Sequence, residues 1–422
     1  MSVTRREFGA VAVGLGVGLV APAIVQAATP TRIGVLLPLT GPLASLGNDV
    51  YRGFLLARDF INQEGGVFGQ PVEFVTADVP DSTAATSQAT RLITSERVKV
   101  IAGSYSSAVS FAASQVAERN RVIYLEEGAV ADDITSRGFK NLFRMLYRAS
   151  TLGEHSAKFV VEQMIPGIGL TLSSAKVALL YENSSYGSAV GERAGQHLKA
   201  NNVQIVDSTS YDFKTNDLSS IVQRYKSLQP DILILCQYSP DAILFWRQAR
   251  EANLEIKGAI GNGGGHSLPE FSEALGDDVN GVFNLGITAE FNAEGLQPAA
   301  RDLYGRFHAE HAKQFAGRVA SAQTGLGFNG MWTLLKEILP RAGSLDVDRI
   351  REAALALDLP AGSSILGWGT KFDPITHDNI RAVPFVEQWQ KKEVRVISPA
   401  EFAQTRNIVM PLPPWGKRGG IG

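Results

Sequence analysis

The sequence predicts an α/β fold of two doubly wound lobes, each a mostly parallel sheet covered by helices. Three observations carry that prediction. From Thr31 onward, short β-branched runs alternate with longer amphipathic segments, the pattern of parallel sheets under helices. The runs form two series, each starting afresh, which implies two sheets rather than one. The 422 residues are also more than one hydrophobic core usually serves.

The elements follow in order. Ile33-Gly34-Val35-Leu36-Leu37 reads as the first strand, and Val50, Phe54, Ala57 and Ile61 then recur at helical spacing until Gly65-Gly66 stops the helix. Strands are predicted at 72–75, 98–101, 122–125, 177–180, 203–206 and 232–235. A helix is predicted over 109–117, and another over 347–357. Ala361-Gly362-Ser363-Ser364 reads as a late crossing into a short antiparallel tail containing Pro384 to Trp389. No repeat of about 20–50 residues, low-complexity block or Pro/Ser-rich linker interrupts the chain.

Composition narrows the function classes. With 45% hydrophobic and 19% charged residues and a net charge of -2, the chain is of ordinary globular type. Lys391-Lys392 and Lys417-Arg418 are too small to form the basic stripe of a polyanion binder, so no nucleic-acid partner is expected. The single cysteine, Cys236, lies in the apolar run from Ile232 and reads as a buried strand thiol. No intrachain disulfide can form.

At the N-terminus, Arg5-Arg6-Glu7-Phe8 precedes an uncharged Gly/Ala/Val/Leu stretch that ends in small residues at Val25-Gln26-Ala27. That order is a signal peptide's, with cleavage expected near Ala27 and residues 1–27 removed. The paired arginines resemble the twin-arginine export signal, although Gly9 stands where Leu is usual and leaves the Sec route open. A retained membrane anchor is the alternative, but the apolar part is shorter than the roughly 20 residues a spanning helix needs. The mature chain is expected in a periplasm, free of a lipid anchor, as a monomer.

Ile33-Gly34-Val35 through Leu39-Thr40-Gly41-Pro42, then Gly47, then Ile61-Asn62-x-x-Gly65-Gly66-Val67-x-Gly69 closely resembles the opening of the branched-chain amino-acid-type periplasmic binding proteins. Gly103-Ser104-Tyr105-Ser106-Ser107, Glu182 to Gly187, Arg247 to Arg250 and the Phe372-Asp373 to Trp389 stretch are similar to further blocks of that family, in family order. The resemblance implies the type I, Venus-flytrap form of the fold, with three hinge crossings between the lobes. One lobe would comprise 28–148 with about 286–360, the other about 149–285 with about 361–422. It further implies a solute-binding component of an ABC importer, with a small-molecule ligand, a membrane permease as partner, no cofactor and no catalytic residues.

Ligands of doubly wound sheets sit beyond the carboxyl ends of the strands. Ser106 and Ser107 fall there, before a helix, and could hold a carboxylate with hydroxyls and backbone N–H groups or simply cap the helix. The resemblance assigns ligand contacts to Ser107, to Gly128, Ala129 and Val130, and to Tyr186 from across the cleft. Leu46, Glu127, Tyr238, Asn262 and Gly263 complete the expected set. Two departures from the family bear on the ligand: Val130 stands where a hydroxyl is usual, and Gly263 where amino-acid binders carry a carboxylate for the α-ammonium. Unless Glu126 or Glu127 turns inward, a carboxylate or amide without an α-amino group is favoured over a branched-chain amino acid. A solvated loop pair is the other reading of those two acids.

Other chemistry finds little support. The mature chain has no Gly-x-Gly-x-x-Gly between strand and helix, no phosphate loop and no Gly-x-Ser-x-Gly turn. His308 and His311 could share a helical face but lack spaced acids or cysteines for a metal, and solvent-facing side chains are expected there. His266 reads as a ligand contact rather than a catalytic base. Two competing functions remain: a sensory receptor of the same fold, for which no appended signalling segment is seen, and an amidase or esterase, for which no nucleophile motif is seen.

Overall fold

A computed structural model describes residues 29–316 and 319–420. The signal-peptide reading, on residues 1–27, lies outside them. Among the described residues, no helix is long and apolar enough to cross a membrane.

The first sheet is built from β1 (Thr31–Leu37), β2 (Val72–Asp78), β3 (Val100–Gly103), β4 (Ile123–Glu126) and β5 (Leu142–Arg144), in the order β2-β1-β3-β4-β5. Every pairing in it is parallel. The helices α1 (Ala44–Gln63), α2 (Ser82–Thr90) and α3 (Ser107–Arg119) connect these strands. Strand β1 carries Ile33, Val35 and Leu37 to one side and Leu36 to the other, all fully buried, because helices cover both faces of a doubly wound sheet.

Three strands start later than the β-branched runs predict. Val98 and Val122 spend their N–H groups on the preceding helical turns, donating to Leu92 O at 3.1 Å and Ala117 O at 3.0 Å. Just before them, Arg97 and Arg121 turn the chain at φ 58 and 53, the left-handed closure that ends a helix. Val203 does the same after Asn202.

The second lobe opens with α4 (Ala149–Phe159) and continues through β6 (Lys176–Glu182), α5 (Ser185–Ala200), β7 (Gln204–Tyr211), α6 (Ser219–Leu228), β8 (Ile232–Cys236), α7 (Ser239–Glu251), β9 (Gly258–Asn262), α8 (Pro269–Leu275) and β10 (Phe283–Gly286). After α9 (Pro298–Gln314), α10 (Ala322–Trp332) and α11 (Val347–Leu355), the chain closes with β11 (Phe385–Gln390) and β12 (Glu393–Ser398). The sheet order is β12-β11-β10-β9-β8-β6-β7, parallel from β7 to β10 and antiparallel at β11 and β12. Cys236 is buried in β8.

Helix α10 returns to the first lobe and crosses α1 at a glycine pair. A Cβ on Gly53 would fall 2.1 Å from Thr324 O, and one on Gly327 2.2 Å from Val50 O, so only glycine permits this backbone approach. The late crossing then comes further along than the sequence suggested. Past residue 364 the chain still lies on β5: Phe143 stacks on His377 at 4.5 Å and meets Phe372 edge-on at 5.1 Å. Buried Arg144 pairs with Asp378 at 2.7 Å, and Asn379 N donates to Arg144 O at 2.9 Å. The chain joins the second sheet only at Phe385. Small, polar Ala361 to Ser364 gave a turn signal, but the ion pair and aromatic contacts that hold 372–379 to the first lobe are long-range.

The two α9 histidines are also placed differently from expectation. His311 is 3% exposed rather than solvent-facing, and the His308 ring meets Ala289 O at 3.0 Å. Both rings pack against Phe307. Among the described residues, no three His, Cys, Asp or Glu side chains gather to hold a metal ion.

Candidate ligand-binding cleft

A cavity of about 40 Å3 lies between the lobes at the carboxyl ends of the strands. Its walls include Ser107, Gly128, Val130, Tyr186, Tyr238 and Gly263, all expected from sequence. Tyr105, Tyr147, Gly264, Gln323, Ile287, Leu326, Leu146 and Leu152 complete it.

The first-lobe wall is built on two loops, one after β3 and one after β4. Glu126, at the end of β4, holds them together. Its carboxylate accepts from Ser104 N at 2.8 Å and Tyr105 N at 3.4 Å on one loop, and from Gly128 N at 2.8 Å and Ala129 N at 2.7 Å on the other. Burial pushes this carboxyl up, and the amides oppose the shift. Tyr105 is thereby held at φ 96, a costly conformation for a residue with a Cβ. Gly128 is required beside it, since a Cβ there would fall 2.7 Å from the Tyr105 ring.

Helix α3 begins at this wall. Ser106 is its N-cap by position, but its side chain makes no capping bond, so the first-turn amides are left to another acceptor. Ser107 Oγ accepts from Ala131 N at 3.2 Å, and a hydroxyl that accepts one bond keeps its proton to donate. An anionic group beside this 13-residue helix would meet both the amides and the helix dipole.

From the second lobe, Tyr186 on α5 donates its hydroxyl to Asn262 O at 2.7 Å and lies 5.6 Å from the Tyr238 ring. The loop after β9 makes room for two tyrosines, one per lobe. A Cβ on Gly263 would fall 2.4 Å from Tyr186 OH, and one on Gly264 would fall 2.6 Å from Tyr105 OH and 2.7 Å from Gln323 Nε2. Burial raises the phenols of Tyr105, Tyr147, Tyr186 and Tyr238 far above their usual range, so all four are neutral groups. Among the described residues, no Asp, Glu, Lys or Arg lines the cavity.

The other expected residues lie behind the wall. Ser106 and Ala129 serve the loop geometry just described. Leu46 is buried on α1, and the Asn262 side chain donates to Leu235 O at 3.1 Å. Glu127 turns away from the cleft toward α10, where a Cβ on Gly330 would fall 1.4 Å from its Oε2. Neither Glu126 nor Glu127 is a solvated loop acid, as both are fully buried. Burial first, and neighbouring Glu126 second, hold the Glu127 carboxyl well above the ordinary range. His266, expected at the ligand, packs instead on Phe271 at 5.1 Å and against Gly261. Burial lowers it to about 3.

Sequence reasoning missed Tyr147, Leu146 and Leu152 because they belong to the first crossing and to α4. Ile287 sits in the second crossing, while Gln323 and Leu326 arrive on the returning α10. Tyr105 directly precedes the predicted serines, and the family-like stretch Gly103 to Ser107 was the available signal.

Comparison with known proteins agrees with this architecture. The sequence profile of the periplasmic binding protein family matches residues 30–393. The Leu/Ile/Val-binding protein homolog 8 of Brucella suis is 33% identical over 404 residues, covering 96% of this chain and 98% of that protein. The leucine-binding protein of Thermotoga maritima superposes with a TM-score of 0.74 at 24% identity, covering 87% of this chain and 97% of that one. A solute-binding protein of an ABC transporter from R. palustris, solved with benzoate, superposes with a TM-score of 0.73 at 20% identity, covering 90% and 99%. These are solute-binding proteins, not enzymes, and by the family match and the full-length likeness to its relative this chain belongs to the periplasmic binding protein family.

Proposed function

We propose that this protein is the solute-binding component of an ABC importer and that its ligand is a small carboxylate, aromatic or aliphatic, without an α-ammonium group. One observation carries the reading: no carboxylate among the described residues lines the cleft, and the position of Gly263 is closed to one by the Tyr186 hydroxyl. A buried ammonium with no counter-charge would cost several kcal/mol, most of a micromolar affinity. The ligand carboxylate lies against Ser107 and the first turn of α3, and its apolar body lies among Tyr105, Tyr186 and Tyr238. The benzoate complex of the R. palustris protein supports an aromatic acid as one such ligand.

The lobes close on the ligand about their crossings and present the closed form to a membrane permease. Residues 1–27 direct export and are removed near Ala27, and the mature protein acts in a periplasm, as a monomer. A thermal-shift screen over aromatic acids, aliphatic acids, amides and amino acids tests the ligand class, because a ligand that binds only the folded state raises the melting temperature. Carboxylates should shift it and amino acids should not. A screen in which only amino acids act would overturn the reading.

A further inference from the structure

A second, larger cavity of about 380 Å3 lies at the second hinge crossing and shares the wall residue Ile287 with the first. Its size is that of small-molecule sites in general. The crossing Ile287 to Glu290 forms one wall, Ala320 to Ala322 at the start of α10 another, and Ser267 to Ser272 with β11 and β12 the rest.

Glu387 on β11 lies in this cavity, on the same face of the strand as Trp389. The side chain is 1% exposed. Its Oε1 accepts from Asn284 Nδ2 at 2.8 Å, while Oε2 is buried with no hydrogen-bond partner. The charges near the rim are otherwise engaged: Arg395 with Glu393, and Lys392 with Asp277 at 4.0 Å. Glu290 stands beside His308 with its side chain 45% exposed. Among the described residues Glu387 therefore has no counter-charge, and almost none of its surface faces water. Burial pushes its carboxyl up to about 8, the cost of that missing partner. Trp389 has already given its Nε1 proton to His266 O at 2.6 Å, leaving its ring as apolar wall.

We propose that this cavity is a second binding site, for small primary ammonium ligands, with Glu387 giving up its proton to solvent as the ligand enters and then serving as the counter-ion, and with Trp389 and Ile287 flanking a short apolar chain. A buried carboxyl with one unpartnered oxygen suits a charged N–H donor better than a neutral one. The first cavity, with its uncapped helix end and no acid, suits the opposite charge, so the two sites differ in the ligands they take.

Isothermal titration of the purified protein with propylammonium, and with 1-propanol as its uncharged counterpart, tests this. Saturable binding of propylammonium and none of propanol is expected. Glu387→Gln should weaken it about tenfold or more, the scale of a lost charge-assisted bond, while Ser107→Ala leaves it unchanged. Ser272→Trp, which blocks the cavity from a partly exposed position on α8, should also abolish it and guards against a folding defect in Glu387→Gln. The inference is overturned if propylammonium fails to bind, if it binds both cavity variants as tightly as the unmodified protein, or if Ser107→Ala alone removes it.

Discussion

The Tyr105 hydroxyl of the first lobe sits where a side chain on Gly264 of the second would have to stand, since a Cβ there would fall 2.6 Å from it. The two lobes meet at that point without an intervening side chain. Ser45 on α1 makes a second link, donating to Glu270 on α8 at 2.5 Å. Gly264 has no left-handed φ, so its substitution tests the close approach and not backbone strain.

Gly264→Val should therefore hinder closure while leaving each lobe folded. Small-angle scattering of the unmodified protein should show a smaller radius of gyration at saturating ligand, because a hinged cleft gains its contacts on shutting. The variant should show a smaller change and bind about tenfold or more weakly, the cost of a modest overpacking. An unchanged profile for the unmodified protein at saturation would remove hinge closure from the account.

Ser107→Ala should weaken a carboxylate ligand by roughly 1–3 kcal/mol, the range for a hydrogen bond to a charged group. Titration calorimetry reads this directly. The melting temperature without ligand should move little, because the bond the hydroxyl makes in the described structure, from Ala131 N at 3.2 Å, is long. Unaltered affinity would show that the anionic end lies elsewhere.

Stability should depend on pH through Asp241, buried at the start of α7 and paired with the Tyr211 hydroxyl. Burial raises its carboxyl to about 7 from an ordinary value of 3.8. Between those values the unfolded chain has lost a proton that the folded protein keeps, so stability falls as pH rises from about 4 to about 7 and then levels. At about 1.4 kcal/mol per unit, the effect amounts to a few kcal/mol. Asp241→Asn should lower the slope of stability against pH across that window by about 1.4 kcal/mol per unit, the rest of the slope coming from other buried carboxyls such as Glu127 and Glu387, and an unaltered slope would count against the raised value.

Much of the fold was legible because its signals are local. Ile33 to Leu37 and Ile232 to Cys236 are β-branched or apolar runs long enough to fix a strand, and Ser107 follows a strand end where ligand loops belong, whereas Gly128, Val130, Tyr186 and Gly263 came from the family resemblance and not from a local pattern. What could not be read depends on distant partners. Gln323 reaches the cleft only because Gly53 and Gly327 let α10 lie on α1. The fate of Glu126 depends on two loops folding back on one carboxylate, and residues 372–379 stay with the first lobe through Arg144 and Phe143. No window of neighbouring residues contains those contacts.

The most direct test of the central claim compares leucine with 4-methylpentanoate, which keeps the leucine carboxylate and branched body but lacks the ammonium. Titration calorimetry of both ligands on the unmodified protein isolates the one group in question. An acid-free cleft predicts that 4-methylpentanoate binds more tightly, by about tenfold or more for an ammonium left without a counter-charge. Tighter binding of leucine would contradict it and would require a carboxylate to enter the cleft in the bound state.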